Sequence, residues 1–509
     1  MKKRFWKTFR WLHRWPSIVL SIFFILWPLS GIILNHRETV SSFEVDRDNL
    51  PSEYQYTNWN NASVKGTLQY SPDSLFIFGD VGIWLYTESK NSFSSFNNGF
   101  LDGVDNRKIS ALLLNTKGDL YAGSRTGFYL WDKKSHQWNA IELSGNNEKV
   151  VDIAEKDGLL YCMTRSHIYK VNPEDLSLIE ELKILSPANE EVGNTLFMTL
   201  WVIHSGKIYG LPGKLIVDFV GLIFIFLTIT GWIYFLFPRI IKRRKKHEKK
   251  SFKLIKISRF SVSWHNRIGI WVVALMMITT ITGMFLRPPL LILIANSSVG
   301  KIPYTMLDRV NPWYDRFRAL EWDDEKQYFL IGTVDGIYVV DKDFKTNPVA
   351  PHVQPPISVM GINVFDKIGN GYYRIGSFSG LFAWSPEKNI VRDYFTGKPI
   401  MRQSDSGMPI SSTMVTGFHT NKEGHEYYFD YNLGVVPFGL GNKFVPMPQE
   451  IRDTPISLWN LALEMHTARL LKVIMGLFYL LFIPLFGLFT FFILVSGLLL
   501  WLKKYSWNK

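Results

Sequence analysis

Four uncharged stretches break up a chain whose other apolar residues come in short alternating runs. They are Pro16–Leu34, Phe219–Pro238, Ile268–Leu286 and Val473–Leu502, of 19, 20, 19 and 30 residues. A helix rises about 1.5 Å per residue, and about 20 apolar residues span a bilayer's hydrocarbon core, so each is long enough to cross. Pro28 predicts a kink in the first. The fourth reads as one long helix, kinked near Pro484, with its upper part outside the bilayer. Between the spans the period shortens. In 37–195 and 300–455, Tyr/Phe/Ile/Val-rich runs alternate with Gly, Asn, Asp and Ser clusters, which predicts strands and tight turns. Phe76–Tyr86, Leu120–Trp131 and Leu160–Val171 resemble one another, with Gly79, Gly123 and Met163 at one repeat position. Phe329–Val340, Tyr373–Trp384 and Tyr428–Phe438 repeat the pattern, with Gly332 and Gly376 44 residues apart. Strand–Gly–strand units at such a period indicate propeller blades or a solenoid.

The spans repeat as well. Trp11–Asn35 and Trp264–Arg287 each put a His ahead of an apolar run and a Ser/Thr-Gly pair near its far end. His13 to Gly31 and His265 to Gly283 are both 18 residues. Eighteen residues make five helical turns, about 27 Å of rise on one face. Each half of the chain reads as a His-led span, three β repeats, a His-bearing lead-in and a return span. The halves are parallel repeats, and their symmetry axis is expected along the membrane normal. The fold class is therefore a membrane protein: a four-helix transmembrane bundle from internal duplication, plus an all-β propeller-like periplasmic domain. Residues 1–36 form the cytoplasmic amino terminus and first span, and 37–195 three β repeats. Residues 196–238 carry a lead-in and the second span, 239–263 a basic cytoplasmic loop, and 264–296 the third span. Three more β repeats occupy 297–457, and 458–509 hold the second lead-in, the last span and a cytoplasmic tail.

Charge changes the picture once it is located. The net +13 could suggest nucleic acid, but residues 1–14, 239–259 and the tail after Leu502 carry +19 between them, leaving −6 elsewhere. Basic residues confined to the flanks of apolar spans follow the positive-inside pattern, so the partner they imply is the lipid bilayer and not nucleic acid. Both termini and the 239–263 segment fall on the cytoplasmic side. Cys162 is the only cysteine, which excludes an intramolecular disulfide and any Cys-based metal cluster. No GxGxxG, P-loop, GxSxG or HExxH is present, and no inner segment is large enough to bind NAD(P)H or flavin. Electrons, if the protein moves them, come from a quinol or a separate cytoplasmic donor.

Symmetry sets what the histidines can do. His13 and His265 are equivalent and sit at the cytoplasmic edge; His204 and His466 are equivalent and sit at the outer edge. Symmetry mates facing a two-fold axis can hold one ligand between them. Two trans imidazoles on a flat, bulky group describe a b-type haem, and two pairs describe two haems, one near each face. The alternative is interfacial histidines bonding headgroups or backbone. Gly31, Gly231, Gly283 and Gly497 would admit a porphyrin face, or serve close helix packing. His36 could face the outer site, the substrate, or cap the first span. Arg37 and Arg287 could pair with haem propionates or with lipid headgroups. His136, His167, His352, His419 and His425 share no spacing and read as surface or core residues, and His247 as solvated.

The motifs LHRW…LSG, VIHSGKIYGLPGK…TG, WHNRIG…TG and MHTARLLK…SGLLLWLKK resemble the PepSY-associated transmembrane family, which includes b-haem ferric-siderophore reductases of bacterial inner membranes. The resemblance covers the four spans and their flanks. It implies inner-membrane location, two b-type haems on iron-ligating His13, His265, His204 and His466, and electron delivery to a periplasmic ferric complex such as a ferric siderophore. Two departures stand out: Ala468 where the family often has Gly, and propeller-like repeats in place of PepSY-type domains. The function expected is a transmembrane b-haem oxidoreductase. The alternative is a membrane-anchored propeller that binds or senses a ligand without redox activity.

Overall fold

The computed structural model describes residues 2–143, 148–187, 193–295, 297–309, 311–358, 360–400, 411–439 and 443–506. Two compact units result. One is helical and combines Met1–Val40, Val192–Asp308 and Leu458–Lys509; the other is all-β and combines Ser41–Glu191 with Arg309–Ser457.

In the helical unit the main elements are α1 (Lys2–Val19), α2 (Phe23–Asn35), α3 (Leu196–His204), α4 (Gly210–Lys246), α5 (Phe252–Phe285), α6 (Leu458–His466) and α7 (Tyr479–Ser506). Among the described residues, three stretches are long and apolar enough to cross a membrane: Lys207–Lys246, Phe252–Phe285 and Arg469–Lys504. The first span is not a single helix. α1 and α2 meet at 62° and reach spanning length only together. The bend is at 20–22 and not at Pro28, which stays inside α2. There the Ser21 hydroxyl donates to the Ile18 carbonyl at 2.7 Å, and a side chain that bonds a nearby carbonyl competes with the helical ladder. The last span also differs from expectation. Its break falls at Gly476, with φ +55, while Pro484 lies within α7. The segment read as a basic loop is mostly helix: α4 runs on to Lys246 and α5 begins at Phe252. Lys and Arg are good helix formers, and cations in the last turn of α4 complement the helix dipole. The long helices pack in a cycle, α4 on α5, α5 on α7, α7 on α1, and α2 back on α4.

Among the described residues the β unit holds six small antiparallel sheets, four strands each in the first, second, third and fifth and three each in the fourth and sixth, and a two-stranded ribbon of Glu44–Val45 with Ile456–Ser457. Their first strands are β1 (Gly66–Ser71), β2 (Ile109–Leu114), β3 (Val150–Lys156), β4 (Phe317–Asp323), β5 (Ile362–Gly369) and β6 (Val415–Thr420). Each first strand packs against the next, and β6 packs against β1, so the six sheets close one propeller-like ring. The repeat glycines have a packing reason. A Cβ at Gly123 would lie 2.6 Å from Val150 on β3, and one at Gly332 2.6 Å from Ile362 on β5. Glycine in the second strand lets the neighbouring sheet's first strand approach.

The first repeat is offset from the sequence reading. Gly79 pairs with Gly82 as Ser124 pairs with Gly127 and Ser377 with Gly380, so Phe78 and not Gly79 is the counterpart of Gly123. At the Gly79 position the other sheets carry Ser124, Thr164, Thr333 and Ser377, all fully buried, and Asp430, 1% exposed. These side chains close the hairpins from within. Thr333 Oγ1 donates to the Gly336 carbonyl at 2.8 Å and accepts from the Asp335 amide at 3.1 Å. Asp430 accepts from the amides of Asn432 and Leu433 at 2.8 and 2.9 Å.

Candidate functional site

The two lead-in helices are copies. α3 and α6 are nine residues each and end on His204 and His466. Two residues later the chain turns through the left-handed region, at Gly206 (φ +74) and Ala468 (φ +58). At Gly206 a Cβ would sit 2.1 Å from the Gly213 carbonyl oxygen, so that close crossing requires glycine. Ala468 carries a Cβ, and the second half takes an added helical turn, Lys472–Met475, before its own break at Gly476.

Each of the four histidines docks on the Ser/Thr-Gly pair of a different helix, in one register. His13 on α1 lies against Gly497 on α7, His265 on α5 against Gly231 on α4, His204 on α3 against Gly283 on α5, and His466 on α6 against Gly31 on α2. A Cβ on these glycines would approach the ring's Cε1 to 2.9, 4.0, 2.7 and 3.2 Å respectively. In every case the ring's Nδ1 bonds to the glycine's helix. His13 Nδ1 meets the Ile493 carbonyl at 3.0 Å, His204 Nδ1 the Thr279 carbonyl at 2.9 Å, and His466 Nδ1 the Trp27 carbonyl at 3.1 Å and Ser30 Oγ at 3.0 Å. His265 Nδ1 meets Thr230 Oγ1 at 2.9 Å, with the Leu227 carbonyl as its backbone partner. Ile493, Thr279, Trp27 and Leu227 each stand three residues before the hydroxyl residue, and each carbonyl also receives that residue's hydroxyl. An Nδ1–H held by a carbonyl fixes the tautomer with a lone pair on Nε2, as ligating imidazoles require.

The four rings form the two pairs the symmetry predicts. His13 and His265 have centroids 6.2 Å apart with planes at 83°, and His204 and His466 6.0 Å apart with planes at 53°. A cavity of about 80 Å³ adjoins the first pair, lined by both rings, Gly497, Met276, Leu494 and Trp501 among others. Among the described residues no three His, Cys, Asp or Glu groups converge as a metal site would need. What the structure brings together is two imidazoles per site, each held through Nδ1, against mostly apolar helix faces.

The remaining candidates lie elsewhere. His36 Nε2 is 2.6 Å from Asp218 Oδ2, and Asn35 donates to Asp218 Oδ1 at 2.9 Å. The Arg37 guanidinium stacks 3.8 Å over the Trp459 ring. Arg287 lies beside Tyr479 and the Glu464–Arg469 pair. His167 and His425 pair with Glu181 and Glu423, and His419 bonds Thr67; His136 stands beside Trp131. His247 ends α4, exposed. The sequence reading missed Asp218, whose signal was a lone acid just before a charge-free span. It also missed the carbonyls that orient the rings, which carry no side-chain signal. Three acids on adjacent inner strands, Asp152 on β3, Glu321 on β4 and Asp366 on β5, went unremarked too. Burial, reinforced by Asp152 and Asp366, pushes Glu321 up to about 8, and burial takes Asp152 and Asp366 to about 6.

Apolar helices that hold paired histidines, in a chain that also builds a ring of sheets, define a protein of the membrane-associated class. The chain belongs to the family of the PepSY-associated TM region, which it matches over residues 10–504. No curated protein matches it. Among solved structures it is similar to the extracellular domain of a hybrid two-component system from B. thetaiotaomicron, at 11% identity and a TM-score of 0.36, covering 78% of this chain and 38% of that one. It is also similar to the WD40 β-propeller domain of Doa1, at 10% identity and a TM-score of 0.34, covering 76% and 96%. A third is the computationally designed Ika8 protein, at 10% and 0.29, covering 75% and 98%.

Proposed function

We propose that this protein is a transmembrane b-haem oxidoreductase of the bacterial inner membrane that passes electrons to a periplasmic acceptor, a ferric siderophore or other ferric complex. The observation that carries the reading is the fourfold repetition of one docking register, which brings the four rings into two facing pairs with centroids 6.2 and 6.0 Å apart. Haem bound at each pair would supply one-electron transfer. The chain's own part is to hold each imidazole by Nδ1 and to present Nε2. The glycine opposite each ring leaves it room to seat against the helix. In this reading α1 with α2, α4, α5 and α7 are four spans of one bundle, both termini are cytoplasmic, and the β unit is periplasmic. Electrons enter from a quinol or a separate cytoplasmic donor.

The test is optical. Detergent-purified protein from haem-replete cells is expected to give a reduced-minus-oxidised b-type spectrum with close to two haems per chain. A colourless, folded protein overturns the reading and leaves the second one, a membrane-anchored module that binds or senses a ligand. That alternative draws on the six-sheet ring, where Asp152, Glu321 and Asp366 occupy neighbouring first strands.

A further inference from the structure

A second cavity, of about 350 Å³, opens between α5 and α7 at their basic ends. Its walls include Arg259, Arg267 and Lys504, with the neutral donors Ser258, Ser263 and Asn266, and among the described residues no carboxylate. Three cations and three neutral donors make it an anion site by composition. Its position gives it a role. Asn266 lines this cavity and also the one that holds the His13 and His265 rings. Lys504 follows Gly497, the glycine behind His13, by seven residues. That is two turns and about 10.5 Å along the same face of α7. On α5, Arg259, Ser263, Asn266 and Arg267 succeed one another at helical spacing, so they form one stripe; His265 lies on another face of the helix, and Asn266 is the residue that borders both cavities.

Together the adjoining cavities make one bipartite site: a largely apolar chamber with two ligating nitrogens, and a cationic chamber sharing a wall with it. We propose that the cationic chamber receives the two carboxylates of the porphyrin held between His13 and His265. This rests on the haem reading and extends it to the group's orientation: the carboxylate edge faces the cytoplasmic ends of α5 and α7. The charges agree, because two carboxylates near a membrane's apolar layer need paired cations, and Arg259, Arg267 and Lys504 supply three. A phospholipid headgroup would use the same cations but would not need the histidine chamber next door.

The experiment compares full-length wild type with Arg259→Gln/Arg267→Gln by haem content, potentiometric titration and native mass spectrometry for bound phospholipid. In the double variant one of the two haems is expected to be lost, or its midpoint potential to fall, since removing positive charge disfavours the reduced, more negative form. The other haem should not move. Arg267→Lys should keep most of the wild-type potential. In a His265→Ala background, where only the outer haem remains, Arg267→Gln should change nothing. If the double variant does not fold, Lys504→Gln is expected to give a smaller shift of the same sign in the same haem. Unchanged haem content and unchanged potentials overturn the proposal, whether or not a co-purifying anionic phospholipid disappears. A colourless wild type is a separate result and sinks the haem reading itself.

Discussion

At the scale of single residues, the decisive contacts are between imidazole rings and glycines. A Cβ at Gly283 or Gly497 would come within 2.7 or 2.9 Å of a histidine Cε1, whereas one at Gly231 would stay 4.0 Å away. Real Cβ contacts do not close below about 3 Å without displacing a neighbour. Gly283→Ala is therefore expected to perturb the His204/His466 haem, and Gly497→Ala the His13/His265 haem. Gly231→Ala should leave both intact, and the haem spectrum and stoichiometry of the three variants check this. Glu321 yields a second prediction. Its folded value of about 8 exceeds the ordinary glutamate value of about 4.3, so across that window the folded state binds more protons than the unfolded one. Stability from this group is lost as pH rises from about 4.3 towards 8. His419 runs oppositely. Burial takes it down to about 4, so its contribution to stability grows as pH rises from about 4 to 6.5. Glu321→Gln should flatten the fall in β-unit melting temperature between pH 6.5 and 8, where His419 no longer titrates. An unchanged slope would contradict the assignment.

At the scale of elements, three of the six sheets carry a buried hydroxyl in the hairpin with a glycine one residue before it, at Gly123–Ser124, Gly332–Thr333 and Gly376–Ser377. Thr333→Val keeps the shape, and the Gly336 carbonyl keeps the Thr333 backbone amide, but the Asp335 and Gly336 amides lose the Oγ1 they bond. A buried polar group left unpaired costs about 1–3 kcal/mol. A loss of that size in chemical unfolding is expected, larger than for a surface threonine such as Thr396. The bent first span makes a related point. Proline was the obvious place for a kink, yet α2 contains Pro28 and the turn falls at Ser21. In a broken span the missing ladder bonds must be made elsewhere, and here Ser21 and Phe23 bond carbonyls only three residues back.

For the whole molecule, the duplication gives each proposed haem its own set of supporting helices, so the haem reading expects them to be removable one at a time. The inner pair is supported by α1, α5, α7 and α4, and the outer pair by α3, α6, α5 and α2. His265→Ala is expected to remove or loosen one haem and His466→Ala the other. Loss of both haems from either folded variant, or of neither from both, would break the pairing. Gly31→Leu should act like His466→Ala, because Gly31 backs His466. Topology is checked by a reporter fused after Lys246, where α4 ends; cytoplasmic behaviour is expected from the basic residues around it. A periplasmic result would reverse the orientation of both sites.

How much was legible in the sequence follows from which signals are local. Apolar runs with basic flanks, the 18-residue His-to-Gly spacing and the strand–glycine repeats are consequences of helix rise, bilayer thickness and pleat alternation, so they can be read along the chain. They settled the all-β segments, the apolar helices and which histidines are equivalent. The family was legible only as a resemblance of short motifs on those helices, and the match over residues 10–504 shows it. Other features are set by contacts between residues far apart in the chain. The sequence placed His13 and Gly31 on one face, but only the folded chain shows that they serve different pairs, each meeting a partner from another helix. Closure of the six sheets into one ring was undecided from the repeats alone, because it depends on β6 meeting β1 across more than three hundred residues. The positions of the breaks at Ser21 and Gly476 were likewise undecided. They follow from whether a hydroxyl or a left-handed turn takes over the backbone bonds, and neighbouring helices settle that competition.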